Sequence, residues 1–232
     1  MFENFLVIIP TYNESENIND LINELSKHGF HILVVDDSSP DGTFEIVSNH
    51  EKYGQNLFGI KRTSNKGYGK SVIDGFMFGI EKQYQHFVQM DSDFSHRVKD
   101  LLKMTELSSK YDLVIGSRYI DGGAIEGWGL IRKYLSKISN LFAKFLLKTT
   151  ISDLTTGFRI YSLNSIRSID FQKIDSNGYS FLVELLNKII KGNFKIIEYP
   201  IIFVNRTRGK SKMDFKIVIE SMVNLFKIYF EK

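Results

Sequence analysis

The sequence predicts an α/β protein built on a mainly parallel, twisted sheet with helices on both faces. Three observations lead there. Short apolar runs alternate with stretches of helical period through the first half of the chain. Polar clusters follow those runs, where a parallel sheet gathers its ligands. There is no cysteine in 232 residues, so neither disulfides nor thiolate-bound metal organise the fold.

Residues 5–10 (FLVIIP) form an apolar run of strand length. Residues 16–27 place Ile18, Leu21, Ile22 and Leu25 at helical spacing. Residues 31–35 predict a second strand. Ser38-Ser39-Pro40-Asp41-Gly42 is turn chemistry, and Asp41 is suited to cap the helix after it. A third strand is expected at 57–61, a helix at 70–82, a fourth strand at 86–90, a helix at 99–110 and a fifth strand at 112–117. This order implies right-handed crossovers and a parallel sheet. Residues 121–129 read as a Gly-rich loop carrying the only tryptophan, Trp128. Helices are expected at 130–148 and 179–190, a strand at 155–161, one or two strands at 195–205, and a last helix at 213–230. No repeat or linker divides the chain, so residues 1–232 are read as one domain.

Net charge is only +3, which gives no case for nucleic acid as a partner. The N-terminus runs straight into the first strand without the basic and apolar regions of a signal peptide. No run approaches the roughly 18 apolar residues of a membrane span.

Four polar clusters end strands: Thr11-Tyr12-Asn13-Glu14, Asp36-Asp37, Asp91-Ser92-Asp93 and Ser117-Arg118. Beyond the carboxyl edge of one sheet they would converge on one crevice. Asp91 and Asp93 are two carboxylates at a strand end, suited to share a hard divalent cation with the phosphates of a ligand. Alone, D-x-D reads first as a solvated turn with two surface acids; its company at the sheet edge favours function. Asp36-Asp37 suits a ribose or base contact, or a helix cap. Gly69-Lys70-Ser71 and Gly209-Lys210-Ser211 resemble a P-loop ending, but Ser64 and Val204 stand where that motif needs glycine. The five histidines share no ligand spacing, and only His96 lies beside the acidic pair.

Basic residues gather late. Between Gly127 and Ser152 lie Arg132, Lys133, Lys137, Lys144 and Lys148, with no acid. Ile131, Tyr134, Leu135, Ile138, Leu141, Phe142, Phe145 and Leu146 repeat there with helical period. Such a helix either lies on a membrane surface or packs half-buried with a solvated lysine face. Arg206, Arg208, Lys210 and Lys212 form a second basic patch, readable as a phosphate site or a solvated loop.

Taken together, Pro10-Thr11-Tyr12-Asn13-Glu14, Val34-Val35-Asp36-Asp37-Ser38-Ser39-Pro40-Asp41-Gly42-Thr43, Asp91-Ser92-Asp93-Phe94-Ser95-His96, Gly116-Ser117-Arg118-Tyr119 and the stretch from Phe203 to Lys212 resemble the inverting family 2 glycosyltransferases. Within them the likeness is to the dolichyl-phosphate mannose synthases, over nearly the whole chain and in order. The resemblance implies a single GT-A-like domain with C-terminal amphipathic helices, residues 1–120 holding a nucleotide sugar and 121–232 the acceptor. It implies that Pro10, Tyr12, Glu14, Val35 and Asp37 hold the nucleoside. It puts Asp91, Ser92 and Asp93 on the diphosphate, with Asp91 and Asp93 on Mg²⁺ or Mn²⁺. Ser95 falls where relatives place a further metal ligand, often Gln. Arg118, Arg132, Arg206 and Lys212 would surround the donor and acceptor phosphates, with Asp93, Arg118, Arg132 and Arg206 acting in catalysis. The implied substrates are GDP-mannose and dolichyl or polyprenyl phosphate, at the cytoplasmic face of a membrane. The chain resembles the short form, which relies on amphipathic helices or on a separate small membrane subunit.

An acceptor phosphate suits this residue set. A phosphate monoester has its second pKa near ~6 and is largely dianionic at neutral pH, so it can attack an anomeric carbon without a general base. The alternatives are a UDP-glucose-dependent or other family 2 transferase, and a non-catalytic sugar-nucleotide-binding subunit, which need not keep both aspartates and the arginines.

Overall fold

The computed structural model describes residues 2–174, 176, 178–206 and 208. In chain order the elements are β1 (Phe5–Thr11), α1 (Ile18–Lys27), β2 (His31–Asp36), α2 (Thr43–Ser48), β3 (Leu57–Lys61), α3 (Tyr68–Glu81), β4 (His86–Gln89), α4 (Val98–Thr105), β5 (Leu113–Ser117), β6 (Ala124–Glu126), α5 (Leu130–Leu147), β7 (Arg159–Ser162), α6 (Leu163–Arg167), α7 (Tyr179–Lys191), β8 (Ile196–Pro200) and β9 (Ile202–Val204). Lys212 and the helix expected at 213–230 lie outside the described residues.

Seven strands form one sheet in the order β3-β2-β1-β4-β7-β5-β8. Every pairing in it is parallel except those of β7, which runs antiparallel to both β4 and β5. β2 and β4 flank β1 on opposite sides, which creates a topological switch point at its carboxyl end. Because β7 is reversed, its amino end, and the loop that enters it, lie at the same edge as the carboxyl ends of the others.

The alternation of β1 explains the layering. Leu6 and Ile8 face one core with Val72, Phe76, Phe181 and Leu185 from α3 and α7. Val7 and Ile9 face the other, with Leu21, Leu25, Leu101 and Met104 from α1 and α4. A strand buried on both faces reads as an unbroken apolar run, as FLVIIP does. Gly42, not Asp41, occupies the cap position of α2; Asp41, one residue earlier, accepts the N–H of Thr43 on its Oδ1 at 3.0 Å.

α6 was not expected, and three further segments differ from the sequence reading. The fourth helix stops at Thr105 rather than 110, because Thr105 Oγ1 bonds the Leu102 carbonyl at 2.6 Å and Ser108 Oγ bonds that of Thr105 at 2.8 Å. The strand expected from 155 begins only at Arg159, and the N–H groups of residues 152–154 before it are given to side chains. The Gly-rich loop contains β6, which pairs in parallel with β9 as a separate two-stranded sheet.

Candidate active site

The four predicted clusters do meet at one edge. Asp91 and Asp93 follow β4. Asp93 is 5% exposed; its Oδ1 accepts the Ser95 N–H at 3.1 Å and its Oδ2 meets Arg206 Nη2 at 2.7 Å. Arg206 also reaches toward Glu14 from the β1 end, Nη1 to Oε1 3.9 Å. Glu14 is oriented by Asn17, whose amide donates to Oε2 at 3.1 Å. Loss of solvation and then the neighbouring Asp93 carboxylate push the Asp91 carboxyl up to about 7.

Arg206 owes its place to the small sheet. The Asn205 N–H bonds the Glu126 carbonyl at 3.0 Å, and the Val204 N–H bonds that of Ser95 at 3.3 Å. Gly127 permits this approach: its φ is +75°, and a Cβ there would sit 2.8 Å from that of Asn205. Trp128 is enclosed against Phe203, and the Arg132 guanidinium lies 3.9 Å from the Trp128 ring centroid. Arg132 sits in the first turn of α5.

Arg118 is placed differently from its expected role. Its Nε and Nη2 grip both oxygens of Asp153 at 2.7 Å each, its backbone N–H reaches Asp153 at 3.0 Å, and Nη2 also reaches Thr155. Asp153 is fully buried. Burial alone would raise its pKa, but Arg118 outweighs that and holds the carboxyl below the usual range. Around it the loop is pinned. Glu198 accepts the N–H groups of Ser152 and Asp153, Asn140 accepts that of Leu154, and the buried Arg159 donates to the carbonyls of Leu154 and Leu182. Gly157 then passes against the Tyr68 hydroxyl, where any Cβ would clash, 3.6 Å from Asp91 Oδ1. Sequence reasoning missed Asp153 because it searched the ends of strands, and here the polar cluster precedes a reversed one.

Asp37 is likewise engaged. Its carboxylate receives Arg62, Ser71 and the Gly67 N–H, so it organises the loop after β3. Val35 is fully buried in the core and offers no side-chain surface to the crevice. Pro10 is half-buried at the end of β1 and Tyr12 is 42% exposed beyond it. Ser92 and Ser95 are buried within the acidic turn.

Helix α5 was open to two readings, and its burial pattern bears on both. Its buried residues are Asn140, Ala143 and Leu146. Leu130, Ile131, Tyr134, Ile138, Leu141 and Phe145 are 54–79% exposed. Much of the apolar stripe thus faces outward, while Ala143 and Leu146 join the core and the buried Asn140 bonds Leu154 and Thr155. Among the described residues no helix is long and apolar enough to cross a membrane.

The donor set fits a hard divalent cation: two carboxylates at a strand end, already facing a positive group. Among the described residues no three His, Asp or Glu side chains form a ready-made metal cage. Asp91 and Asp93 would therefore share such an ion with phosphate oxygens.

Acids, arginines and a switch point thus share one edge of a sheet layered with helices on both faces, the edge at which open α/β folds place their ligands. The chain belongs to glycosyl transferase family 2, whose model matches residues 6–170. It is 37% identical to an undecaprenyl-phosphate mannosyltransferase of Micrococcus luteus, over 95% of this chain and 91% of that one. It is 38% identical to a polyprenol monophosphomannose synthase of Mycolicibacterium smegmatis, over 94% and 83%. A dolichol-phosphate mannosyltransferase of Pyrococcus furiosus is 35% identical over 96% of this chain, which spans 62% of that protein. The fold is the GT-A fold. It superposes on glucosyl-3-phosphoglycerate synthase from Mycobacterium tuberculosis, solved with Mn²⁺, UDP and glucosyl-3-phosphoglycerate, with TM-score 0.71 at 14% identity over 97% of this chain and 79% of that one. Mannosyl-3-phosphoglycerate synthase from Rubrobacter xylanophilus gives 0.70 at 16%, over 96% and 72%.

Proposed function

We propose that this enzyme transfers mannose from GDP-mannose to a polyprenyl phosphate, with inversion to a β-linked product, while bound peripherally to the cytoplasmic face of a membrane. The observation that carries the reading is the outward apolar stripe of α5 starting beside Arg132, in a chain whose relatives carry names of polyprenyl-phosphate mannosyl transfer. The stripe suits the lipid and the membrane surface, and the arginine at its head suits the lipid's phosphate.

Asp91 and Asp93 would hold Mg²⁺ or Mn²⁺ with the donor diphosphate. A divalent ion there supplies positive charge against the departing diphosphate. Arg206, already balanced between Asp93 and Glu14, turns to the phosphates when these carboxylates are otherwise satisfied. Arg132 meets the acceptor phosphate, and the two cations offset the repulsion between acceptor and donor in a poorly screened site. Arg118, held by Asp153, contributes by fixing the loop at 152–158 and the aromatic wall of Trp128 and Phe203. No base need be supplied: His96, beside the acidic pair, is enclosed by Phe158 and Phe203. Pro10, Tyr12 and Glu14 border the space for the nucleoside, with Asp37 acting through the loop it holds.

The test is to incubate the pure protein and Mg²⁺ or Mn²⁺ with undecaprenyl or dolichyl phosphate and a panel of nucleotide sugars. A β-linked mannolipid formed from GDP-mannose is expected. A glucolipid from UDP-glucose, or nucleotide binding without turnover, would overturn the assignment.

A further inference from the structure

His96 is not assigned to substrate or metal, yet it is 1% exposed at the centre of the site. Asp91 lies just past the end of β4, where its backbone N–H has left the strand ladder. That N–H donates to His96 Nδ1 at 3.1 Å. A ring nitrogen that accepts carries no proton, so the imidazole is neutral and protonated on Nε2. The Asp91 Oδ2 lies 3.9 Å from Nδ1, beyond hydrogen-bond reach. The bond from the Asp91 amide closes a turn over Asp91-Ser92-Asp93-Phe94-Ser95 in which Phe94 has φ +60°, a left-handed conformation costly for a side chain of that size. Such a turn persists only where its surroundings hold it.

The ring is held in turn. It stacks on Phe158, centroids 4.7 Å apart at 11°, and meets the edge of Phe203 at 5.4 Å. Phe158 immediately precedes β7, and its carbonyl accepts the Gly116 N–H at the end of β5. Phe203 belongs to β9, three residues before Arg206. One imidazole thereby fixes the backbone of the first acid against the elements that carry the arginines.

We propose that His96 is the positioning residue of the metal pair: its Nδ1 holds the Asp91 amide, and with it the strained turn that sets the two carboxylates for one cation. The proposal rests on the assignment of Asp91 and Asp93 as cation ligands.

Two substitutions separate positioning from packing. His96→Phe keeps the stacked ring and loses the acceptor. His96→Asn loses the ring and returns a carbonyl oxygen near the Nδ1 position. Mn²⁺ affinity is read by electron paramagnetic resonance, with and without GDP, beside the melting temperature of each variant. His96→Phe should bind Mn²⁺ at least ~10-fold more weakly with GDP present, on the scale by which supporting residues tune metal sites. His96→Asn should stay within about threefold of the parent while melting lower. Equal losses in both variants, or unchanged affinity in His96→Phe, would overturn the proposal. If the parent protein binds no Mn²⁺ even with GDP, the cation assignment fails and His96's role with it. ¹⁵N-histidine NMR of the parent protein needs no variant: an Nδ1–H tautomer at neutral pH would refute the idea even if His96→Phe does not fold.

Discussion

Replacing Arg206 with methionine should make the protein bind Mn²⁺ more tightly while turning over more slowly. In the structure the Arg206 guanidinium takes Asp93 Oδ2 at 2.7 Å, with the two side chains 23% and 5% exposed. Asp93 Oδ1 also accepts the Ser95 N–H, so a cation approaching Oδ2 competes with the arginine for the same charge. Two unit charges about 4 Å apart attract by roughly 4 kcal/mol at an effective dielectric constant of about 20. Rehydration of the released guanidinium and solvent screening at a partly open side chain offset much of this, leaving about 1–2 kcal/mol of competition. Methionine has similar reach and no charge, so its variant should bind Mn²⁺ alone about 5- to 30-fold more tightly. Turnover should fall at least ~100-fold, because a main electrostatic group facing the phosphates is gone. Electron paramagnetic resonance of free Mn²⁺ during titration measures the first effect, and lipid-product formation the second. Unchanged or weaker Mn²⁺ binding in the variant would show that Arg206 does not stand where the cation goes.

Asp93→Asn keeps the volume and removes a ligand charge, so turnover should drop by at least ~100-fold; near-normal activity at saturating metal would end the assignment of Asp93. Changing Lys137, Lys144 and Lys148 to Glu should release the protein from anionic liposomes in a sedimentation assay while GDP binding persists, and unchanged sedimentation would leave α5 without its membrane role. Asp153→Asn should lower stability by roughly 3 kcal/mol, since it leaves the Arg118 guanidinium enclosed without its counter-charge. The folded pKa of Asp153 lies below its unfolded value near ~3.9, so its contribution is complete above that pH and is lost as pH falls through the lower folded value. The variant's melting temperature should therefore decline less steeply than the parent's below about pH 4; parallel acid limbs would contradict the buried pair.

Much of the fold was legible because β1, β2, β4 and β5 are buried on both faces and leave unbroken apolar runs, while α1 buries one stripe against them. The same logic located Asp91, Asp93 and Glu14, since parallel strands deliver their polar ends to one edge. It failed where direction changed. β7 carries the same kind of apolar residues as its neighbours, and nothing in Arg159-Ile160-Tyr161-Ser162 announces that it runs the other way. Arg118 was expected beside the phosphates, and nothing local announced its bond to Asp153, 35 residues away. β6 and β9 are three residues each, too short for any period to register. The apolar period of α5 was plain, but periodicity marks a stripe without saying which way it faces; the answer lay in Asn140, whose amide is committed to the loop beneath.

The reversed strand has a consequence for how the protein is made. β4 and β5 are not neighbours; β7, which arrives more than 40 residues after β5, stands between them. A nascent chain that has released only β1 to β5 holds two strands with bare edges and no third to join them. Such edges invite pairing with other chains. The sheet closes only when β7 and then β8 leave the ribosome, so folding of this sheet waits for the chain through Pro200. For the same reason the two halves of the sequence are not modules: a break in the β6–α5 connection would leave the fragments interleaved rather than separable, and neither would melt alone.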